Sequence, residues 1–282
     1  MDWFRIMKNT IRIVGFCLCI LVMSFSIVNA NGQVNPDTSA ESACLIDADD
    51  NGVLYGKDED KIMNPASTTK IMTAILALES GKLDEPLVIT PEAVNTEPSS
   101  LGLQLGDKIT LREALTGMML VSGNDAAVAV AETVAGSVPA FAKMMNEKAR
   151  QLGAKNTHFV NPNGLTAENH YSTAHDMAII ASYAMKNPQF RDIVKKTSYN
   201  MKYMDGHTAY VTTTNRFLKS GYVGANGIKT GFTNAAGDCL VASATRGKKT
   251  LIAVFYNDDY RWDDAQTWLD FGFSFYDKND LE

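Results

Sequence analysis

Strand-like runs stand at both ends of this chain and helical ones fill the middle, which limits the possible folds more than any other feature. Near the start, 42–47 and 52–56 are separated by "ADDNG", whose Asn51-Gly52 is a strong hairpin signal. Towards the end come 207–213, "GIKTG" (227–231), "DCLVASATRG" (238–247) and "KTLIAVFY" (249–256), the last two read as a hairpin about Arg246-Gly247. Between them the apolar spacing is helical. A run follows Lys70, two helices meet at Ser122-Gly123-Asn124, another spans 138–153 and closes on Gly153, and one over 172–187 opens like a capped helix. An aromatic-rich helix near 262–276 comes last. The pattern predicts one α+β domain whose antiparallel sheet joins the N-terminal hairpin to the C-terminal strands. The helix block covers one face of that sheet and terminal helices cover the other.

The 282 residues, 45% hydrophobic and 21% charged, suffice for a sizeable core. A net charge of −6 argues against a nucleic-acid partner, which needs a basic face. Residues 1–30 stand apart. Arg5, Lys8 and Arg12 precede the uncharged stretch "IVGFCLCILVMSFSIV" (13–28), which closes on the small-residue pattern Val28-Asn29-Ala30. This reads as a signal peptide or a retained N-terminal anchor, and either places the working domain outside the cytoplasmic face of the membrane. Residues 31–41 read as a polar linker before a domain spanning 42–282. Beyond the apolar run the cysteines are Cys44 and Cys239, expected as small core residues although an exported pair can also bridge. No spacing resembles a zinc site and no H-E-x-x-H occurs.

Three short stretches carry candidate chemistry. In "PASTTK" (65–70) Ser67 and Lys70 are three residues apart and share a face, and the helix that follows is apolar nearly all round. Lys70 at the edge of that core loses solvation, and a neutral amine beside a hydroxyl is a general base beside a nucleophile. In "SGN" (122–124) a hydroxyl and a carboxamide point into one cleft if the backbone bends between them, which Gly123 permits. "SYN" at 198–200 fits the same pattern but does not lie between two apolar helices. In "GIKTGFT" (227–233) glycines flank Lys229-Thr230 on a strand, leaving a cation and a hydroxyl open to a carboxylate and a backbone N–H beyond them for an oxyanion. Each match alone is weak. S-x-x-K, S-x-N and K-T-G occur together in penicillin-binding proteins and class A β-lactamases.

Longer blocks sharpen this. "PASTTKIMTA", "SSLGLQLGDKITLREALTGMMLVSGNDAAVAVAE", "NTHFVNPNGL", "HYSTAHDMAIIA" and "GANGIKTGFTNAAGDCLVASATRG" occur in the order of one family. Over about residues 40–276 the chain resembles the low-molecular-mass penicillin-binding proteins that act as serine D-alanyl-D-alanine carboxypeptidases. The resemblance implies a β-lactamase/transpeptidase-like α+β fold, an antiparallel sheet flanked by helices with an all-helical subdomain. It also implies removal of the terminal D-alanine from peptidoglycan stem peptides, with β-lactams as covalent inhibitors and no metal or organic cofactor. By the same resemblance Ser67 is the acyl-enzyme nucleophile and Lys70 its base. Ser122 is the proton relay to the leaving amine, and Asn124 orients the substrate amide and Lys70. Lys229, Thr230 and Gly231 belong to the carboxylate-binding strand, the backbone N–H groups of Ser67 and Phe232 form the oxyanion hole, and Arg216 is a further candidate carboxylate contact.

The β-rich C-terminal domain of many relatives is expected to be absent, and the aromatics of "WLDFGFSFYD" are expected on the sheet rather than in a membrane. Three other readings share the motifs. A β-lactamase needs a deacylating glutamate, for which Glu168 in "GLTAENHY" is the candidate in a loop. A β-lactam-sensing receptor domain needs the N-terminal run retained as a span. A D,D-endopeptidase differs in substrate alone.

Overall fold

A computed structural model describes residues 35–281. The expectations for residues 1–30 therefore lie outside the described residues. Strands β1 (Ser42–Asp47) and β2 (Val53–Lys57) form the N-terminal hairpin, its turn closed by Asn51 in the left-handed region at φ 63°. Strands β3 (Ser198–Lys202) and β4 (Thr208–Thr212) pair with each other. Strands β5 (Ala225–Thr233), β6 (Gly237–Arg246) and β7 (Lys249–Tyr256) complete a five-stranded sheet of order β2-β1-β7-β6-β5. All its pairings are antiparallel, and β1 lies between β2 and β7 in the register Cys44↔Val254 and Ile46↔Ile252. The two chain ends do build one sheet.

One expectation needs correction. The run at 207–213 is a strand, but its partner is β3 rather than the main sheet. Its residues alternate: Thr208, Tyr210 and Thr212 are exposed while Ala209 and Val211 are half buried, the pattern of a strand covered on one face. Strands β1, β6 and β7 are buried on both faces through most of their length.

The helices are α1 (Lys70–Glu79), α2 (Pro91–Val94), α3 (Leu111–Val121), α4 (Asn124–Ala135), α5 (Val138–Leu152), α6 (Ala174–Lys186), α7 (Pro188–Val194), α8 (Arg261–Phe273) and α9 (Lys278–Leu281). Helix boundaries follow local chemistry. Thr110, Ser137 and Thr173 cap α3, α5 and α6 by accepting from the third residue beyond, and Gly153 ends α5 at φ 86°. In α1 every residue from Lys70 to Ala77 is buried, as expected for a helix apolar all round.

Alternation along β1 divides the core. Cys44 and Ile46 belong to the larger apolar cluster on the α6 side of the sheet, whereas Ala43 and Leu45 belong to the cluster of Trp268, Leu269 and Phe273 on the α8 side. Trp268 and Phe273 thus lie against the sheet, with Phe271 and Tyr276 partly buried beside them and Phe275 exposed. Cys44 and Cys239 are both buried and unpaired. Register explains this: Cys44 is opposite Val254, which is opposite Val241, so Cys239 lies two strands away and two residues along. That is about 10 Å across the sheet, beyond disulfide reach.

Candidate active site

The three motifs meet at one edge of the sheet, around a cavity of about 280 Å³ lined in part by Ser67, Ser122, Asn124 and Thr230. A single 3₁₀ turn, Ala66–Thr69, carries Ser67 into the start of α1. Ala66 adopts φ 46°, and Gly164 at φ 90° lies directly over it, since a Cβ on Gly164 would stand 1.8 Å from the Ala66 carbonyl oxygen. Residue 164 must therefore be glycine for the turn that carries Ser67 to fit. The second motif arrives at the α3–α4 junction, where Ser122 itself takes the left-handed conformation at φ 65°. Gly123 is in an ordinary region at φ −58°, so it is not the residue that makes the bend. It supplies space: a Cβ there would meet Asp125 Oδ1 and the Leu101 nitrogen at 2.8 Å. Two non-glycine residues held at positive φ in one cleft fit the tendency of functional sites to store backbone strain.

Lys70 is fully buried and makes three contacts: Ser67 Oγ at 2.9 Å, Asn124 Oδ1 at 2.6 Å and the Asn163 carbonyl at 2.7 Å. A neutral amine has two N–H bonds and one lone pair. The two oxygens that only accept take the N–H bonds, which leaves the lone pair aimed at the Ser67 hydroxyl. Burial, then the charge of Lys229, hold the Lys70 amine well below its ordinary pKa, with Asp125 acting in the opposite direction.

Lys229 is also buried and donates to Ser122 Oγ (3.0 Å) and to the Thr230 carbonyl (2.9 Å). Burial, then the nearby Arg261, lower its pKa to about 7. Its ammonium stands behind Ser122 and Thr230 rather than in the cavity wall. Thr230 Oγ1 lies 3.0 Å from Thr214 Oγ1, and both threonines face the cavity. Gly231 closes the other side, where a Cβ would be 3.1 Å from the Ser67 nitrogen. The backbones at 66–67 and 231–232 are thus in contact, as an oxyanion site built from the N–H groups of Ser67 and Phe232 requires. Phe232 itself is 60% exposed at the cavity rim.

Three positions differ from the sequence reading. Arg216 is exposed at the start of the 3₁₀ turn 216–219 and is not among the cavity-lining residues. The arginine in the wall is Arg261, from the first turn of α8, whose Nη1 donates to the carbonyls of Gly231 (2.8 Å) and Cys239 (3.0 Å). Nothing in "YRWDD" marks it, because its position depends on where α8 crosses the sheet. The Asn163 carbonyl was equally hidden, since a backbone oxygen has no residue signature. The "NPNGL" turn that presents it is held by its own asparagines: Asn161 Oδ1 accepts from the Gly164 N–H and Asn163 Oδ1 from the Leu165 N–H. Glu168 is exposed and does not line the cavity, and the "SYN" decoy lies on β3. A larger recess of about 460 Å³ beside Leu83, Arg112 and Tyr199 contains none of the three motifs.

Similarity to known proteins extends along most of the chain. The model of the D-alanyl-D-alanine carboxypeptidase peptidase family matches residues 29–260. The Bacillus subtilis D-alanyl-D-alanine carboxypeptidase DacF is 41% identical over 86% of this chain, which spans 64% of that relative's length. Mycobacterium tuberculosis DacB2, a D-alanyl-D-alanine carboxypeptidase, is 37% identical over 85% of this chain and 84% of its own. Among solved structures, a variant of the Streptomyces K15 DD-transpeptidase superposes with a TM-score of 0.80 at 36% identity, covering 85% of this chain and all of that one. A D-alanyl-D-alanine carboxypeptidase from M. tuberculosis gives 0.83 at 33% identity over 89% and 97%. With the family model covering most of its length and its motifs gathered in one cleft, the chain belongs to the D-alanyl-D-alanine carboxypeptidase family.

Proposed function

We propose that this chain is a serine-type D-Ala-D-Ala carboxypeptidase acting outside the cytoplasmic membrane on peptidoglycan stem peptides, with β-lactams as covalent inhibitors. The observation that carries the reading is the buried Lys70 amine, whose two fixed acceptors leave its lone pair for Ser67. Ser67 Oγ attacks the carbonyl of the penultimate D-alanine while Lys70 takes its proton, and the N–H groups of Ser67 and Phe232 receive the oxyanion. The intermediate collapses, the C–N bond breaks, and a proton passing through Ser122 leaves with the amine of D-alanine. Water then attacks the ester, Lys70 again accepts a proton, and the stem peptide departs one residue shorter. Ser122 suits the relay because Lys229 donates to its oxygen, which leaves the hydroxyl proton for the leaving amine. Thr230, Thr214 and Arg261 are the groups suited to the terminal carboxylate, with Lys229 supplying positive potential from behind.

The β-lactamase reading is weaker, since no carboxylate side chain is among the residues lining the cavity to activate a deacylating water. Slow release of bound penicillin is therefore expected. The test is D-alanine release from a diacyl-Lys-D-Ala-D-Ala peptide, with Ser67→Ala as control. Release by the parent alone establishes activity and nucleophile together, whereas equal release by Ser67→Ala would sink the proposal.

A further inference from the structure

Next to Asn124 is a carboxylate that takes no part in the steps above. Asp125 is 1% exposed. Its oxygens accept from the N–H groups of Leu101 (2.7 Å), Gly102 (2.8 Å) and Leu103 (3.0 Å), from the Ser100 hydroxyl (2.7 Å), and from the N–H of Ala126 (2.8 Å). Among the described residues it forms no ion pair. All but the last of these donors belong to Ser100–Leu103, so one buried anion fixes the conformation of that whole segment.

The residues just before it reach the cleft. Asn124 Nδ2 donates to the Glu97 carbonyl (2.8 Å) and the Asn124 N–H to the Ser99 carbonyl (2.8 Å), while Pro98 and Ser99 line the cavity. The Glu97 contact determines which way the Asn124 amide faces. With Nδ2 held there, Oδ1 is presented to Lys70. We propose that Asp125 is a positioning residue for acylation, pinning 97–103 so that Glu97 turns the Asn124 amide toward Lys70 and Pro98–Ser99 form a fixed wall for the substrate. Its charge also acts on Lys70, favouring the protonated amine against the effects of burial and Lys229. The proposal rests on Ser67 being the acylated residue.

The test is Asp125→Asn, which keeps the size but removes the charge and an acceptor. Two quantities are measured in the full protein: the second-order rate at which a fluorescent penicillin labels it between pH 5 and 9, and kcat and KM for D-alanine release. Labelling is expected to fall about 10–100-fold, as for a misplaced catalytic group, with a raised KM. The acid limb of the labelling profile moves to lower pH because Lys70 loses the anion that supports its charged form. Asp176→Asn is the comparison, a buried carboxylate that tethers a different loop through the Asn156 N–H (2.6 Å) and Thr157 Oγ1 (2.8 Å), and it retains the parental profile. A folded Asp125→Asn with parental rate, KM and acid limb overturns the proposal. Should that variant not fold, Ser100→Ala removes one donor at an exposed position and is expected to raise KM less, and an unchanged KM there also overturns it. A parent that takes no label overturns the carboxypeptidase reading and this proposal together, whereas a labelled parent with an unaffected Asp125 variant overturns the proposal alone.

Discussion

Two buried lysine amines in one small cleft are unfavourable for folding in their charged form, and the proposed chemistry gives a reason for keeping them there. The pH dependence of stability should reveal this. Lys229 has a pKa near 7 in the folded protein against 10.5 for the unperturbed side chain. Between those values the unfolded chain holds a proton that the folded one lacks, so this residue makes stability rise with pH across the window, by up to about 1.4 kcal/mol per unit. Lys229→Met should therefore abolish D-alanine release yet raise the thermal midpoint at pH 7, with the gain shrinking toward pH 10. A variant less stable than the parent at pH 7 would contradict the account. That these side chains share one cleft was readable in the sequence because hydroxyl, amine and carboxamide are named by the motif. The Asn163 carbonyl and Arg261 were not, the first being backbone and the second placed by the crossing of α8 over the sheet.

Among the elements, the join between α1 and the 160–165 loop decides whether the turn carrying Ser67 holds. Gly164 packs on the Ala66 carbonyl, so Gly164→Ala forces backbone atoms apart at a position that also needs positive φ. Labelling by penicillin is expected to drop at least about a hundredfold, as for a nucleophile displaced by an ångström. Parental labelling would mean that the turn tolerates the shift. His170 bridges the same two elements. The Val160 N–H donates to its Nδ1 (3.1 Å), so Nε2 bears the proton and donates to Thr69 Oγ1 (2.9 Å). Burial, then the neighbouring His158, lower its pKa to about 4 from 6.5. The unfolded chain thus takes up a proton first as pH falls from 6.5 to 4, and the parent loses about 3 kcal/mol of stability through this residue. His170→Gln should be less stable at pH 7, with the gap narrowing toward pH 4. Asp258, raised to about 6, acts in the opposite direction over part of this range but is common to both proteins. A constant gap would show that His170 does not titrate in this way. Most elements were legible from periodicity and caps. Strand β3 was not, because "SYNMK" is polar and acquires strand character only by pairing with β4.

At the scale of the whole molecule, the sequence placed the domain start near residue 42, since "NGQVNPDTSAE" has the composition of a linker. Composition could not show where its last residues go. Ala40 is fully buried in the same apolar cluster as Trp268, and Lys57 Nζ donates to the Thr38 carbonyl at 2.9 Å. Thr38 Oγ1 donates to Asp264 Oδ2 (2.6 Å) and Ser39 Oγ to Asp258 Oδ1 (2.5 Å). Those two carboxylates flank the first turn of α8, which also carries Arg261 into the cleft. Residues 36–41 therefore clamp the helix start that supplies part of the cavity wall. A protein beginning at Pro36 should match the longer chain in stability, whereas one beginning at Ser42 should melt about 5–10 °C lower, the equivalent of losing two to three kcal/mol in a domain of this size. Because the loosened element carries Arg261 and not Ser67 or Lys70, KM for D-alanine release should rise more than kcat falls. Equal midpoints for the two truncations would show that 36–41 is a passive linker, as its composition suggests. A lower midpoint with unchanged KM would separate the clamp's stabilising role from any hold on the substrate site.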